Sequence, residues 1–260
     1  MQLELGDIAL IVGGGSGIGL ATARRFAAEG CQVAVWDLAE THPELTNIAT
    51  YFQADVRNRD SVTTALTSTI EQLGPIHHVV ITAAVGSGHF GMPFTNVPPE
   101  TWDPVFAVNV TGLANVADAV AKQMIQQGFG TIVSVASVAG QVGSPTDPPY
   151  SASKAAGINF AQCMARDLAP HGIRVNTVCP GMVKTPLNQN VWKSWRDRDP
   201  QKNTLTYDDW AEQKIKDLIP LGQWQQPEDI ADMILFLSSR RAAQVTGQTI
   251  NVDGGYVMHW

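Results

Sequence analysis

Short runs of β-branched and other apolar residues alternate with longer amphipathic stretches along the chain, and this alternation constrains the fold more than any other feature. Uninterrupted apolar runs between helices are typical of strands buried on both faces, as in a parallel sheet. Seven such runs with crossover helices predict an α/β fold built on a doubly wound (Rossmann) sheet of seven parallel strands. The predicted strands are Ile8–Val12, Gln32–Trp36, Thr50–Gln53, His78–Thr82, Thr131–Ala136, Arg174–Val178 and Thr249–Val252. The predicted helices are Gly17–Glu29, Asp60–Leu73, Glu100–Gln127, Tyr150–Ala169 and Pro227–Ser238.

Residues 186–218 interrupt this alternation. The segment is polar, carries three tryptophans and lies between a predicted strand and the turn Pro220-Leu221-Gly222. Because ligands bind at the carboxyl edge of a doubly wound sheet, we expect the segment to form a short helical lid over that edge. No linker rich in proline, glycine or serine divides the chain, so residues 1–260 are expected to fold as a single domain that includes the lid.

The charge balance and the cysteines argue against several classes of function. The formal net charge of −7 opposes nonspecific binding to nucleic acid, which needs a positive field. The apolar runs are shorter than the roughly 20 residues that span a bilayer, and the first residues lack the basic segment of a secretory signal. Cys31, Cys163 and Cys179 are scattered among apolar neighbours, which indicates buried free thiols. We therefore expect a cytoplasmic protein without a metal, a membrane segment or a nucleic-acid partner.

A glycine-rich turn follows the first predicted strand and opens the first helix, in the sequence Gly13-Gly14-Gly15-Ser16-Gly17-Ile18-Gly19. Glycines at positions 13, 17 and 19 lack the Cβ atoms that would keep the backbone away from a pyrophosphate. The helix N-terminus then supplies N–H donors and a partial positive charge. A tight structural turn has a similar sequence, but a strand before it and a helix after it favour a dinucleotide site.

Two acidic residues at strand ends extend this predicted site. Asp37 closes the second strand, 18 residues beyond Gly19. A carboxylate there accepts both ribose hydroxyls of NAD and repels the 2′-phosphate of NADP. No arginine occupies positions 38–41, so the predicted cofactor is NAD, although an aspartate capping the next helix gives the same pattern. Asp55 and Val56, past the third strand, are expected to hold the adenine, with a turn or N-cap role for Asp55 as the alternative.

Tyr150 and Lys154 place a phenol and an ammonium on one helix face, near a start marked by Pro148-Pro149. A nearby cation favours the phenolate, so we expect the pKa of Tyr150 to lie below the usual value of about 10. A phenol tuned in this way passes a proton to or from a substrate oxygen near neutral pH. The same pair also occurs by chance on exposed helices.

Two further polar residues favour the catalytic interpretation. Ser137 ends the strand Thr131–Ala136 and lies 13 residues before Tyr150, so both side chains can meet at the carboxyl edge. A hydroxyl there donates to a substrate oxygen as charge develops on it. Asn109 lies within a predicted helix, whose interior does not favour asparagine, and its amide is suited to hold a water next to Lys154.

In their order and spacing these motifs resemble those of the classical short-chain dehydrogenase/reductase family, over essentially the whole chain. The motifs are the glycine turn, Asp55, Asn109 in Asn-Val-Thr-Gly, Ser137, Tyr150 with Lys154, Pro180-Gly181, and Asn251-Val252-Asp253-Gly254-Gly255. The resemblance implies that Tyr150 is the general acid/base, that Ser137 polarises the substrate oxygen, that Lys154 binds the nicotinamide ribose, and that Asn109 completes a proton relay. It further implies that Val183 and Thr185 contact the carboxamide end of the nicotinamide, that hydride transfer needs no metal, and that the protein is a homotetramer.

Two departures from the family pattern concern the cofactor site. Val12 stands where the family usually has threonine, and Ile81-Thr82-Ala83-Ala84 replaces the usual Asn-Asn-Ala-Gly. Thr82 can still supply one side-chain hydrogen bond, and Thr82 and Ala83 remain expected cofactor contacts. Ala84 requires a backbone conformation that tolerates a Cβ.

Substrate contacts are expected from the loop after the fourth strand, from the segment after Ser137 and from the lid. The candidates are His89, Gln141, Met182, Leu187, Trp192 and Trp195, with Phe90 and Val142 nearby. Packing of the lid tryptophans, and solvent exposure for His89, are the alternatives. Seven Lys/Arg and six Asp/Glu between Lys184 and Asp217 predict no net field that selects an anion. This lining favours a medium-sized neutral secondary alcohol or ketone, cyclic or polyhydroxylated.

Three functions remain open on the sequence. The first is an NAD-dependent alcohol dehydrogenase, and the second is an NADPH-dependent ketoreductase of biosynthesis, which Asp37 opposes. The third is a non-catalytic dinucleotide sensor, which the retention of all four active-site residues opposes. His42, His77 and His78 are interpreted as surface or strand-edge residues. The two longest helices and the apolar C-terminus, residues 256–260, are expected to support self-association.

Overall fold

The computed structural model describes residues 3, 6–39, 42–144 and 146–258, and it contains one sheet of seven parallel strands. The strands lie in the order β3-β2-β1-β4-β5-β6-β7, which confirms the doubly wound α/β prediction. Most predicted boundaries are met within two residues, and the main difference is that β6 continues to Pro180. The strands are β1 Ile8–Val12, β2 Gln32–Asp37, β3 Thr50–Gln53, β4 His78–Ile81, β5 Gly130–Val135, β6 Ile173–Pro180 and β7 Thr249–Val252.

Helices cover both faces of this sheet. The helix predicted over Glu100–Gln127 is divided by a π-helical turn at Ala107–Gly112, and the predicted lid contains two helices. The helices are α1 Gly17–Ala28, α2 Arg59–Leu73, α3 Trp102–Phe106, α4 Leu113–Gln127, α5 Pro148–Leu168, α6 Pro186–Arg198, α7 Tyr207–Leu218 and α8 Pro227–Ser238.

The central strand β1 shows why the apolar runs are uninterrupted. Ile8, Leu10 and Val12 pack into one core cluster, whereas Ala9 and Ile11 pack into a second cluster on the opposite face. All five residues are at most 3% exposed, so neither face of the strand meets water. Side chains alternate between the faces of a strand, and burial of both faces therefore requires apolar residues at every position.

The register of β1 defines the carboxyl edge of the sheet. Val12 pairs with Trp36 on one side and with Ile81 on the other. The chain therefore runs outward through β2 and β3, then returns across β1 to begin β4 on the other side. The segments after β1, β2 and β4 leave the sheet together at this reversal of strand order, which is where doubly wound folds bind ligands.

The segment Pro99–Gln127 is long and apolar enough to span a membrane by length and composition alone, contrary to the expectation from apolar runs. Its apolar side chains have another partner, however. Val116, Val120 and Met124 of α4 are fully buried in the core cluster that contains one face of β1. Packing against the sheet accounts for the hydropathy of this helix.

Two of the three cysteines, and His78, lie as expected. Cys31 and Cys179 are buried, but Cys163 is exposed, which corrects the prediction of a third buried thiol. His78 lies at the amino end of β4, where Nδ1 is 2.8 Å from Thr131 Oγ1 and Nε2 is 3.2 Å from Asp7. These contacts satisfy both ring nitrogens within the sheet edge.

Helix α2 offers a matched test of core packing beneath the predicted cofactor site. The Thr69 hydroxyl accepts a 2.9 Å hydrogen bond from the buried Trp36 indole and donates to Ala65 O, whereas the exposed Thr63 hydroxyl only donates to Arg59 O. Thr69→Val leaves the indole N–H without a partner and should lower the free energy of unfolding by about 1–3 kcal/mol.

The control Thr63→Val makes the same chemical change on the exposed face and should stay within about 0.5 kcal/mol of the parent in urea titrations. Equal effects of the two substitutions would show that the indole hydrogen bond does not contribute to stability.

Candidate functional site

A cleft of about 570 Å³ opens at the carboxyl edge of the sheet, where the strand order reverses. It is lined by the glycine turn, by the ends of β2, β4 and β5, by the start of α5 and by the segment from Pro180 into α6. Every residue predicted to contact the cofactor lines this cleft. These residues are Gly13, Ser16, Gly17, Ile18, Gly19, Asp37, Asp55, Val56, Thr82, Ala83, Tyr150, Lys154, Val183 and Thr185.

The glycine turn is closely packed against its surroundings. Gly13 has a φ of +82°, and a Cβ there would lie 2.6 Å from Ala83 N. A Cβ on Gly19 would lie 2.2 Å from Gly13 O. No other residue type fits these two positions, so the turn holds the start of α1 directly against the cleft. The unpaired N–H groups of that helix start are suited to phosphate oxygens.

The departure at the end of β4 has a structural explanation. Thr82 Oγ1 lies 2.8 Å from Val12 O and 3.0 Å from Gly13 O, so its hydroxyl donates across to the glycine turn. Thr82 thus supplies the single side-chain hydrogen bond expected of it. Asn47 is the only non-glycine residue with positive φ in the described part of the chain, so Ala84 carries its Cβ without strain.

Asp37 lies at the far end of the cleft and helps to shape the glycine turn. Its carboxylate accepts hydrogen bonds from Gly15 N at 2.9 Å and from Leu38 N at 2.8 Å. His42, interpreted from sequence as a surface residue, lies beside it, with Nε2 3.7 Å from Asp37 Oδ1 and the ring over Gly15. The carboxylate is still 22% exposed and lines the cleft.

Asp55, the expected adenine contact, forms an ion pair with Arg57. Both of its carboxylate oxygens bind the Arg57 guanidinium, at distances of 2.7 to 3.1 Å. This hydrogen bonding holds the pKa of Asp55 below its ordinary value. Arg57 also lines the cleft, but its charge is already balanced by Asp55.

Tyr150, Ser137 and Lys154 come together in the same cleft as the glycine turn. Asp147 caps α5 by accepting from Tyr150 N at 3.3 Å, which places Tyr150 in the first turn of the helix. The Ser137 hydroxyl, at the end of β5, lies close enough to Tyr150 to lower the pKa of its phenol. Lys154 is buried, donates to Val135 O at 2.9 Å, and has its Nζ 5.4 Å from the centre of the Tyr150 ring.

The pKa values of this group differ from the expectation. Burial raises the pKa of Tyr150 above its ordinary value of 10, the Ser137 hydrogen bond offsets this only in part, and the charge of Asp147 raises it further. Burial also lowers the pKa of Lys154 to about 8. Burial therefore outweighs the expected effect of the Lys154 ammonium, which lies over the ring and bonds to a carbonyl, so the pKa of Tyr150 shifts in the direction opposite to the prediction.

Asn109 lies behind this group, in the π-helical turn. Its Oδ1 accepts from Val85 N, and its Nδ2 donates to Val85 O and to Ser153 Oγ, each at 2.9 Å. The side chain therefore links the segment after β4 to α5 but makes no direct bond to Lys154. π-Helical turns inside helices are frequent at functional sites. The proton-relay role of Asn109 stays a prediction.

The expected substrate contacts divide into two groups. Met182 and Leu187 line the cleft, together with Phe90 and Val142. The other four candidates are not among the residues that line the cleft, and their substrate role stays a prediction. Gln141 exchanges two amide hydrogen bonds with Asn251, and the lid tryptophans Trp192 and Trp195 pack around Trp210, so internal contacts occupy these side chains. The candidate His89 makes a backbone hydrogen bond to Ser87 Oγ.

Sequence reasoning missed two residues at this site. Asp147 is 3% exposed, lines the cleft, and joins Ser87 N to Tyr150 N through its two carboxylate oxygens. The sequence signal was available, since an aspartate directly before two prolines is a typical helix N-cap. Lys214 of α7 also lines the cleft, although nothing in its spacing distinguishes it from its neighbours.

Comparisons with known proteins agree with this arrangement. Residues 13–257 match the family model described as enoyl-(acyl carrier protein) reductase. The chain is 34% identical to the 3-oxoacyl-(acyl-carrier-protein) reductase FabG of Thermotoga maritima, over 99% of this chain and 100% of the relative. It is 37% identical to the 2-(S)-hydroxypropyl-CoM dehydrogenase 3 of Xanthobacter autotrophicus, over 96% of each. A crystal structure of an actinorhodin polyketide ketoreductase variant with NADPH gives a TM-score of 0.89 at 32% identity, covering 98% of this chain and 99% of that one.

The lowered pKa of Lys154 predicts a pH dependence of stability. The folded chain releases this proton near pH 8, whereas the unfolded chain keeps it up to about pH 10.5, so the unfolded state binds more protons in this window. The contribution of Lys154 to the free energy of unfolding therefore rises with pH. Between pH 7 and pH 9 the parent should gain about 1 kcal/mol relative to Lys154→Met.

Urea titrations at pH 7, 8 and 9 would measure this difference, and the exposed Lys216→Met is the matched control, for which no such change with pH is expected. A constant difference between the parent and Lys154→Met across the three pH values would contradict the lowered pKa.

Proposed function

Because the chain belongs to the classical short-chain dehydrogenase/reductase family of nicotinamide-dependent oxidoreductases, we propose that it transfers a hydride between NAD(H) and a medium-sized secondary alcohol or ketone. The observation that carries this proposal is the cleft itself. It brings Tyr150, Ser137 and Lys154 into the same cleft as the glycine turn and the other elements suited to a dinucleotide.

The residues present fit a nicotinamide dinucleotide. The glycine turn offers backbone N–H groups at a position that a Cβ would fill, and the end of β2 offers a partly exposed carboxylate. Val183 and Thr185 are suited to the carboxamide end, and Asp55 and Val56 to the adenine end. When bound, the nicotinamide ring supplies or accepts the hydride.

The protein's own residues handle the proton and the substrate oxygen. In the reductive direction, Tyr150 Oη donates its proton to the carbonyl oxygen as that oxygen gains negative charge, and in the oxidative direction it takes the proton back. Ser137 donates a second hydrogen bond to the same oxygen and holds the reacting carbon in place. The Lys154 ammonium stabilises the phenolate that remains, and Asn109 fixes the position of α5 through Ser153.

The preference for NAD rests on Asp37 and its surroundings. A carboxylate at this position repels a 2′-phosphate, and the nearest cleft guanidinium, Arg57, is already paired with Asp55. The alternative is an NADPH-dependent ketoreductase. Two relatives carry the name of a ketoacyl reductase, FabG of Thermotoga maritima and the monensin polyketide synthase putative ketoacyl reductase of Streptomyces virginiae, and the related crystal structure contains NADPH. Retention of the Tyr150 group opposes a non-catalytic sensor.

The remaining sequence expectations belong to this proposal. We propose that residues 186–218 act as the substrate lid of a single domain, since α6 and α7 both contribute to the cleft wall. A homotetramer and a cytoplasmic location stay predictions. Large exposed apolar side chains cluster near the C-terminus, at Leu218, Leu221, Tyr256 and Met258, while His259 and Trp260 lie outside the described residues.

Tyr150→Phe tests the acid/base assignment. The variant keeps the ring but removes the proton donor, so kcat should fall by about 10³-fold or more. The dissociation constant for NADH, measured by fluorescence, should change by less than about 3-fold, because the phenol hydroxyl is one contact among many. Turnover close to that of the parent would overturn the mechanism.

Asp37→Asn tests the cofactor preference. The side chain keeps its shape but loses the charge that repels a 2′-phosphate, so the ratio of kcat/KM for NAD to that for NADP should fall by about 10-fold or more. Asp55→Asn is the control, because Arg57 already neutralises that carboxylate, and its ratio should change little. A parent enzyme that already prefers NADP would replace this proposal with the ketoreductase alternative.

A further inference from the structure

One cation of the lid faces the cleft. Lys214 lies on α7, is half-buried, and lines the same cleft as Tyr150. Its Nζ lies 4.6 Å from the centre of the Trp210 ring, so one side of the ammonium rests on an aromatic face. The neighbouring wall is apolar, formed by Leu187, Val191, Leu218 and Ile219.

Lys214 has no counter-ion within the described chain, unlike several other cations in and next to the lid. Lys184 pairs with Asp208 at 2.9 Å, Arg196 with Asp197 at 2.8 Å and Lys202 with Asp199 at 3.1 Å. These exposed pairs account for the balanced charge count of the segment. The balance does not extend to the cleft, where the ammonium of Lys214 stands without a carboxylate.

A second cation is held close to Lys214. Arg198, at the end of α6, donates a 2.7 Å hydrogen bond to Gly91 O and has no carboxylate partner among the described residues. Burial lowers the pKa of Lys214, and the charge of Arg198 lowers it further. Arg198 itself is exposed and is not among the residues that line the cleft, so Lys214 is the half-buried cation that meets the cleft. An opposite charge supplied by a ligand would offset the cost of burying it.

Through Gly91, Arg198 is connected to the segment that precedes the helix carrying Tyr150. Gly91 N donates to Thr146 O, and Thr146 directly precedes Asp147, the cap of the helix that carries Tyr150. The carboxylate of Asp147 forms no ion pair with Lys214 or Arg198 in the described part of the chain, and its two oxygens accept from Ser87 N and Tyr150 N. The phosphates of a dinucleotide belong at the glycine turn.

We propose that Lys214, with Arg198 beside it, binds an anionic group of the substrate, at the end away from the carbon that reacts at Tyr150. The inference rests on the proposed function and narrows its substrate class. It selects a medium-sized hydroxy or keto compound that carries its own carboxylate, sulfonate or phosphate. This revises the expectation of a neutral substrate, which depended on counting charges without their positions.

Matched ketone pairs test the proposal, for example 4-oxopentanoate against 4-oxopentanamide, with NADH consumption as the readout. The parent should show a kcat/KM at least about 10-fold higher for the acid. Lys214→Met should remove most of this preference, mainly through KM, and leave the amide nearly unchanged. Lys214→Arg should restore the preference, and Lys216→Met, on the exposed face of α7, should retain it.

A binding experiment separates failure of this inference from failure of the proposed function. Pentanoate and pentanamide are titrated into the enzyme–NADH complex and followed by NADH fluorescence, which needs no turnover. Tighter binding of pentanoate in the parent, lost in Lys214→Met, supports the anion subsite even if neither ketone is reduced.

Other outcomes of these experiments overturn the subsite. Equal loss of activity on the acid and the amide in Lys214→Met would show that the residue only holds the lid in place. A dissociation constant for NADH weakened about 10-fold or more in the same variant would show that Lys214 serves the cofactor phosphates. Preference for an acyl-coenzyme A thioester over free keto acids would place the anion on a carrier.

Discussion

The parallel pairing of β1 with β2 and β4 is the constraint on which the site depends. Because Val12 lies level with Trp36 and Ile81, the next residues of all three strands leave the sheet at one edge. A shift of the register by one residue would turn Asp37 to the other face and move Thr82 away from the glycine turn. The hydrogen bonds from Gly15 N to Asp37 and from Thr82 to Val12 O then connect the three strand ends.

Burial shifts the pKa values of the acid/base group in a direction that the sequence spacing did not predict. The approach of Lys154 to Tyr150 suggests an acidic phenol, yet the low-dielectric surroundings penalise the charged form of both side chains. In the protein alone both groups are therefore driven toward neutrality, the phenol by holding its proton and the amine by releasing one more easily. A bound cationic ring would change this balance, which couples the proton chemistry to occupancy of the cleft.

How much the sequence predicts depends on whether a feature is local or tertiary. Strands buried on both faces leave an unmistakable apolar run, and β1, β3 and β7 were placed to the residue. The π-helical turn at Asn109 and the position of His42 against Gly15 depend on partners 22 or more residues away, which no local pattern encodes. The tryptophans of α6 show the same limit, since aromatic composition does not distinguish a ligand wall from a packed interior.

The charges of the lid show most clearly that a sequence pattern does not reveal tertiary position. A count of charges over the segment treats ion pairs at the surface and charges that face the cleft alike. Solvent screens the electrostatic interactions of the surface pairs, whereas burial strengthens those of the charges that face the cleft. The paired Lys184 and the unpaired Lys214 contribute equally to that count, but Asp208 satisfies only the first. A charge that is half-buried and unpaired is unfavourable, and the anionic group proposed for the substrate would offset that cost at Lys214.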